Sequence, residues 1–218
     1  MRTRLGLPWV GAVVGGLVLA GCGGSAEPRG SDEIAGVGQG ADNASVTPST
    51  APGDGIARPM TTLPEGDRLV FEPQRQKTGD ARTDAVLRDN AEYLRAVDEA
   101  IGDQKPRSKA VAFYSKGSAY LDSVEWIGGF VEDGTTVTGT VRYFDRRVTF
   151  SEDGSAGLTY CGDESKGFTK DLKTKRTNVT PVTKDSYVFY NDRLRKNSKG
   201  VWQLTKSVAE RGSKACRP

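Results

Sequence analysis

The segment Thr135–Phe150 reads TTVTGTVRYFDRRVTF and consists mainly of β-branched and aromatic residues, which are typical of strands. Its apolar side chains lie at odd positions as far as Tyr143 and at even positions from Val148 onward. Because side chains alternate between the two faces of a strand, this change of phase indicates a bulge or bend near residues 144–147. The segment is therefore predicted to be one long, bent strand.

Three further strands are predicted downstream. A Ser-Glu-Asp-Gly-Ser turn at residues 151–155 precedes a strand over residues 157–161, and two more strands follow at residues 186–194 and 201–208. Residues 163–182 are polar and rich in lysine and threonine, which predicts a loop of about 20 residues at this point. Together the strands are expected to form an antiparallel meander.

Upstream, the sequence predicts helices. Over residues 84–101 the apolar side chains recur at helical spacing on one face, and charged side chains fill the other. Two shorter helical segments follow at residues 108–114 and 118–127, and the second is expected to end at the Gly128-Gly129 pair. Helices followed by an antiparallel meander predict an α+β fold, with the N-terminal helices packed on one face of a curved antiparallel sheet.

This order of elements resembles the nuclear-transport-factor-like fold, the cystatin-like α+β cone. In the same region the motifs YCGDES (residues 160–165), PVTKDSYVFY (181–190), GVWQ (200–203) and the terminal Cys216 resemble a group of uncharacterised actinobacterial secreted lipoproteins. The resemblance covers about residues 80–217. It implies a cone-like domain with a pocket between helix and sheet, which holds a small molecule in some members and an acid–base site of Asp, His or Tyr in others.

The N-terminus combines a basic start, Arg2 and Arg4, with an apolar stretch over residues 5–20. This stretch is shorter than the roughly 20 residues that span a bilayer, so it is typical of a secretory signal peptide rather than of a transmembrane helix. The motif Leu19-Ala20-Gly21-Cys22 resembles a bacterial lipobox, in which the cysteine becomes the lipidated mature N-terminus. We predict a signal peptide over residues 1–21, palmitate on Cys22 and a lipid-anchored protein at the outer face of the cell membrane. The alternative is an ordinary signal peptide with an unrelated cysteine.

Residues 22–75 are predicted to form the lipidated N-terminus and a disordered linker. They consist mostly of Gly, Ala, Ser, Thr, Pro and Asp, and only Leu69-Val-Phe71 forms an apolar run. Such a composition buries too little apolar surface to offset the entropy of the chain. A glycine-rich coil of this length has a root-mean-square reach of roughly 40 Å. Residues 76–218 are then expected to form one domain.

Lipidation of Cys22 leaves Cys161 and Cys216 as an even pair. In an oxidising exterior this pair is predicted to form a disulfide, which joins the end of the chain to the second strand of the meander. The alternative, a reactive thiol, lacks an activating partner because the chain contains no histidine.

The absence of histidine also excludes Ser-His-Asp and Cys-His catalysis and the HExxH zinc motif. Without histidine or free cysteine no metal site is predicted, and without a phosphate-binding or dinucleotide-binding glycine motif no cofactor is predicted. The formal charge of the chain is only +3. Its pI of 8.7 lies below the value of about 9 above which nucleic-acid-binding domains typically fall, so no nucleic acid partner is expected.

Polar side chains on the predicted strands are the candidates for a pocket or an acid–base site. They are Tyr160, Asp163, Ser165, Tyr187 and Tyr190, with Glu164 and, on neighbouring strands, Arg142, Tyr143 and Asp145 as further polar groups. An Asp–Tyr pair in an apolar pocket could move protons if burial raised the pKa of the Asp toward about 7. The alternative is structural, since tyrosine on a strand is commonly half-buried and Asp and Ser favour turns.

A second candidate surface is basic and lies in the predicted loop. Its cationic side chains are Lys166, Lys170, Lys173, Lys175 and Arg176. They could bind anionic partners such as phosphate-rich wall polymers or lipid headgroups, and each cation near anionic lipid contributes about 1 kcal/mol. The alternative is a solvated loop without a partner.

Two functions are consistent with these features. The first is a lipid-anchored, non-catalytic domain outside the membrane that binds a small ligand, a cell-envelope component or a protein partner. The second is a cone-fold enzyme, hydrolase-like or isomerase-like, that uses Asp and Tyr as acid and base. The sequence favours the binding domain because it contains no catalytic signature.

Overall fold

The computed structural model describes residues 49–50, 54–73 and 77–218. The signal peptide, Cys22 and most of the predicted linker lie outside this part of the chain. No described helix is both long enough and apolar enough to cross a membrane. The helices and strands follow one another as β1 (Ser49–Thr50), β2 (Ala57–Arg58), β3 (Asp67–Phe71), α1 (Ala81–Gly102), α2 (Lys109–Tyr114), α3 (Ser118–Asp133), β4 (Thr135–Phe150), β5 (Ala156–Asp171), β6 (Thr177–Asn178), β7 (Tyr187–Lys196) and β8 (Trp202–Arg211).

The main sheet has the strand order β3-β4-β5-β7-β8, and the short β6 pairs with the C-terminal end of β5. β3 runs parallel to β4, whereas all other neighbours in this sheet are antiparallel. The helices lie on one face of the curved, unclosed sheet, where α1 and α3 both pack against β4 and β8. The predicted α+β fold, with helices on a curved antiparallel sheet, is confirmed.

The long pair formed by β4 and β5 carries the curvature of the sheet. Both strands contain 16 residues, and their register shifts at residues 140–142 and again at 144–147 of β4. At the second shift β4 has the extra residue, and Asp145 adopts a left-handed φ of 50°. The bulge predicted near residues 144–147 is confirmed, and it turns both Tyr143 and Arg146 toward the helices.

β5 is much longer than the sequence predicts. It extends to Asp171, so the expected loop over residues 163–182 is wrong in its first half. The lysines and threonines of this half pair through their backbone with residues 135–140 of β4. A hydrophobicity pattern misses the strand because backbone hydrogen bonds, rather than an apolar face, hold it in the sheet.

α3 continues through the Gly128-Gly129 pair and ends at Asp133, so the predicted break is wrong. Each glycine in a helix costs about 1 kcal/mol relative to alanine. Packing offsets this cost, since Ile127 is fully buried and Phe130 packs against the same hydrophobic cluster. The helix ends at Gly134, which adopts the left-handed φ of 63° that glycine takes without strain.

The folded domain begins well before the predicted boundary at residue 76. Arg58 is only 4% exposed and forms an ion pair with Asp89 of α1 at 3.1 Å. β3 buries both Leu69 and Phe71 in the main core. The domain therefore includes the end of the predicted linker, because the parallel pairing of β3 with the distant β4 is a contact that composition does not reveal.

The disulfide between Cys161 and Cys216 is present, with a Cα–Cα distance of 5.4 Å, and the prediction is confirmed. It ties the C-terminal tail to β5 on the face opposite to that of Tyr160, because neighbouring residues of a strand point to opposite faces. In the chain-entropy description, a cross-link that closes the loop between residues 161 and 216 stabilises the fold by about 4 kcal/mol.

A buried polar network fastens α1 to the sheet. Arg146 is 2% exposed, and its Nη2 donates to the Leu87 carbonyl and to Asn90 Oδ1, both at 2.7 Å. The guanidinium also lies over the Phe71 ring at 5.1 Å. Its Nε and Nη1 have no hydrogen-bond partner among the described residues, and burial lowers the pKa of Arg146 to about 10.

Asp192 of β7 supplies the counter-charge of this network. It is 1% exposed and accepts hydrogen bonds from Tyr160 at 3.1 Å, from Ser207 at 2.6 Å and from Asn90 at 3.3 Å. Burial raises the pKa of Asp192 to about 6, although these donors and the charge of Arg146 oppose the shift. The network thereby fixes the position of the Tyr160 ring.

The variant Asp192→Asn should remove a pH-dependent part of the stability. Asp192 titrates near pH 6 in the native state and near 3.8 in the unfolded chain, so between these values only the native state holds the proton. The wild type's free energy of unfolding therefore loses about 3 kcal/mol from this group as the pH rises from about 4 to about 6. Urea unfolding across this range should show the loss in the wild type and a flatter profile in the variant.

Asp153→Asn is the matched control. Asp153 is exposed in the turn between β4 and β5, and hydrogen bonds from Ser155 lower its pKa to about 2. Its removal should change the stability profile only below about pH 4. The same slope in Asp192→Asn and in the wild type between about pH 4 and 6 would contradict the titration assigned to Asp192.

Candidate ligand cavity

A cavity of about 600 Å³ lies between the helices and the inner face of the sheet. Volumes of this size are common for small-molecule sites. α1 contributes residues that recur every three or four positions, and β4 contributes Val137, Val141 and Tyr143 from one face, together with Thr138. The apolar side chains of the wall are Leu94, Val97, Ile101, Trp126, Phe130, Val137, Val141, Phe168, Val188 and Ala209.

Two carboxyl groups from different elements meet in this wall. Asp67 begins β3, Asp98 lies on the inner face of α1, and their side chains hydrogen-bond to each other. Burial and then the charge of Asp67 raise the pKa of Asp98 well above its usual value, and burial also raises the pKa of Asp67. We assign the shared proton to Asp98, because the Arg68 backbone N–H favours the ionised form of Asp67.

Tyr143 brings a hydroxyl group to the cavity. Its side chain is 8% exposed, and its ring stacks on Phe71 at 5.3 Å and meets the Tyr160 ring edge-on at 5.8 Å. Among the described residues no group hydrogen-bonds to this hydroxyl, although the charges of Asp98 and Glu164 act on it. Burial raises the pKa of Tyr143 well above its usual value, so the phenol remains a hydrogen-bond donor at neutral pH.

A third cluster of polar side chains connects β5, β7 and β8. The Tyr190 hydroxyl donates to Glu164 Oε1 at 3.3 Å, and Arg211 Nη1 donates to Glu164 Oε2 at 2.6 Å. The Tyr190 ring stacks on that of Tyr160 at 4.8 Å. The Arg211 side chain is 48% exposed, so this group marks a place where the cavity reaches solvent.

The structure places the predicted site residues on two faces of the sheet. Tyr160 and Tyr190 line the cavity. Asp163 and Ser165 instead line a separate depression of about 330 Å³, and Tyr187 is the register partner of Asp163 in β7. Because Tyr160 and Asp163 are an odd number of positions apart in β5, they point to opposite faces and do not form an Asp–Tyr pair.

The predicted basic residues lie apart from the cavity. Lys166 lines the separate depression, and Lys170 forms an ion pair with Glu65 at 3.5 Å. The other three are exposed in the turn that follows β5: Lys173, Lys175 and Arg176. Cys22 lies outside the described residues.

Sequence reasoning misses the charged residues of the cavity: Asp67, Asp98 and Arg211. For the two acids a signal exists. Asp98 falls on the apolar face of α1, one helical turn after Leu94, and Asp67 shares a face with the apolar residues of β3. A charge at a core-facing position indicates a paired or functional group. Among the described residues, no group of three or more His, Cys, Asp or Glu side chains could hold a metal ion.

No protein-family model matches the chain, and no curated protein matches it. Several solved structures are similar in fold. Aln2 from a Streptomyces species is 18% identical over 58% of this chain and 88% of its own, with a TM-score of 0.38. A protein from Catenulispora acidiphila is 13% identical over 62% and 94% of the two chains, with a TM-score of 0.41. A candidate ketosteroid isomerase from Shewanella frigidimarina is 12% identical over 58% and 94%, with a TM-score of 0.29. Likenesses at this level assign neither a family nor a function to the chain.

Proposed function

We propose that the folded domain binds a small, mainly apolar ligand in the cavity, and that a lipid on Cys22 holds the protein at the outer face of the cell membrane. The cavity volume of about 600 Å³ and its apolar wall support the first part. The lipobox and the glycine-rich linker support the second part. The ligand is then a small molecule or a component of the cell envelope.

The unpartnered hydroxyl of Tyr143 carries the binding proposal. This hydroxyl is accessible from the cavity, so it offers a hydrogen-bond donor to whatever molecule occupies that space. The hydroxyls of Tyr160 and Tyr190 are already bonded, to Asp192 and Glu164, so Tyr143 is the available donor of the three. A ligand that accepts a hydrogen bond from Tyr143 is thereby oriented in the cavity.

Lipidation predicts that the chain incorporates labelled palmitate in a bacterial host and fractionates with membranes. Cys22→Ser should abolish both the label and the membrane association, because no other site is expected to carry the lipid. Cys216→Ser is the control, since it removes a cysteine of the disulfide and should keep the label. Label that persists in Cys22→Ser would contradict the anchor.

Ligand binding predicts that Nile red, an uncharged apolar dye, becomes fluorescent in the cavity. Ala209 lines the cavity from β8, whereas its neighbour Val208 lies on the other face and is 53% exposed. Ala209→Trp should occupy part of the cavity and weaken the affinity for the dye by about tenfold, which is about 1.4 kcal/mol. Val208→Trp adds the same side chain on the same strand and should leave the affinity unchanged.

Both positions are solvent-exposed, so the fold should tolerate either substitution, and circular dichroism with the Tm verifies this point. Equal losses of affinity in the two variants would contradict the cavity as the binding site.

Acid–base catalysis is a second candidate function, and the Asp67–Asp98 pair beside Tyr143 favours it. The ionised Asp67 could accept a proton from a carbon next to a carbonyl group, while the Tyr143 hydroxyl donates a hydrogen bond to the developing oxyanion. Such chemistry needs no histidine, as the composition of the chain requires.

Hydrogen–deuterium exchange of an apolar ketone tests this second function. In D₂O, with 2-decalone as probe, the wild type should accelerate α-proton exchange about 100-fold over Asp67→Asn and Tyr143→Phe. Exchange no faster than in buffer, from a protein that still binds Nile red, would reject catalysis and leave ligand binding in place.

A further inference from the structure

The charges that line the cavity are predominantly negative. Its lining contains three acidic side chains, Asp67, Asp98 and Glu164, and one cation, Arg211, and among the described residues it contains no lysine. Arg211 already contacts Glu164 at 2.6 Å. The proton shared by the two aspartates leaves one uncompensated negative charge on that pair. The nearby Arg146 is buried outside the cavity lining and is balanced by Asp192.

A surface groove of about 770 Å³ adjoins the cavity, and among the described residues its charged side chains are all acidic. The two share Trp126, Phe130, Thr169 and Asn178. The charged residues of the groove are Asp122, Glu125 and Asp133. This concentration of one sign stands out because the whole chain carries a formal charge of +3. A concave site lined by one sign of charge attracts ligands of the opposite sign.

Trp126 stands at the junction of groove and cavity. It is 58% exposed, and its ring meets that of Phe130 edge-on at 5.5 Å. An exposed indole face binds a cation through its quadrupole, with an energy of about 0.5–1 kcal/mol at such sites. Inside, the carboxyl group of Asp67 lines the wall, and the donors to it are the Asp98 carboxyl and the Arg68 backbone N–H. Together with the Tyr143 hydroxyl, this carboxyl group gives the cavity polar groups for a ligand.

We propose that the cavity selects a cationic ligand, an apolar molecule that carries an ammonium group. The apolar wall takes the hydrocarbon part, the acidic groove and Trp126 guide the charge inward, and Asp67 accepts a hydrogen bond from the ammonium. This inference rests on the proposed ligand-binding function and adds the charge of the ligand to it.

Three probes with the same hydrocarbon chain test the charge: octylammonium, octan-1-ol and octanoate, titrated calorimetrically into the full chain near pH 7. Octylammonium should bind at least about tenfold more tightly than octanol, and octanoate should bind most weakly. Added salt should weaken octylammonium binding and leave octanol binding unchanged, because it screens charges.

Matched variants locate the charge that is recognised. Glu125→Gln and Glu132→Gln make the same change at exposed positions of α3, but only Glu125 lines the groove. Glu125→Gln should weaken octylammonium binding by about twofold to threefold, whereas Glu132→Gln should have no effect. Asp67→Asn should bring octylammonium close to the affinity of octanol without changing that of octanol.

Octanol or octanoate binding as tightly as octylammonium would overturn the charge selectivity. If Nile red still bound in a manner that depended on Ala209, the proposed ligand-binding function would stand without it. If Nile red and all three probes failed to bind, the ligand-binding function itself would fall. Equal effects of Glu125→Gln and Glu132→Gln would remove the groove from the recognition of the cation.

Discussion

The bulge at residues 144–147 of β4 is the constraint on which the cavity depends. In a regular strand Tyr143 and Arg146, three positions apart, would point to opposite faces of the sheet. The extra residue places both on the inner face and bends the β4–β5 pair around the helices. Arg146 can then donate hydrogen bonds to the Leu87 carbonyl and to Asn90 of α1. The bulge that curves the sheet therefore also holds α1 against it.

The polar network around Arg146 is a costly way to build a core. Two of its guanidinium nitrogens have no hydrogen-bond partner in the described part of the chain, and replacing buried ion pairs by apolar side chains is often neutral or stabilising. The network instead fixes the positions of side chains around the cavity. Asp192 holds the Tyr160 hydroxyl, and the Tyr160 ring in turn contacts the rings of Tyr143 and Tyr190. Three tyrosine side chains are thereby placed around one cavity, and the hydroxyls of two of them, Tyr160 and Tyr190, already hydrogen-bond to carboxylates of the protein.

The features that local patterns encode were predictable from the sequence. Helix α1, the phase change in β4 and the cysteine pair each leave a local or countable mark. The second half of β5 leaves none, because backbone pairing stabilises it and its side chains are polar. β3 joins the sheet through a parallel neighbour far along the chain, so its five residues resemble the end of a linker.

The cavity was less predictable than the fold for the same reason. Tyr160 and Tyr190 share a face because β5 and β7 pair in register, and the correct strands were enough to place them together. Asp67 and Asp98 meet only because β3 and α1 converge in three dimensions. Each acid occupies a core-facing position within its own element, but nothing local indicates that the two share a proton.

Because the chain contains no histidine, the buried carboxyl groups of the cavity, Asp67 and Asp98, have a particular importance. Burial raises the pKa of Asp98 well above its usual value, and Asp98 lines the cavity, so its protonation responds to what fills that space. An uncharged apolar ligand displaces water and further favours the protonated forms. A cation favours the ionised forms and releases a proton. Ligand binding and proton binding are therefore linked with opposite signs for the two ligand classes. The domain should bind an uncharged ligand more tightly in acid and a cationic ligand more tightly near neutral pH.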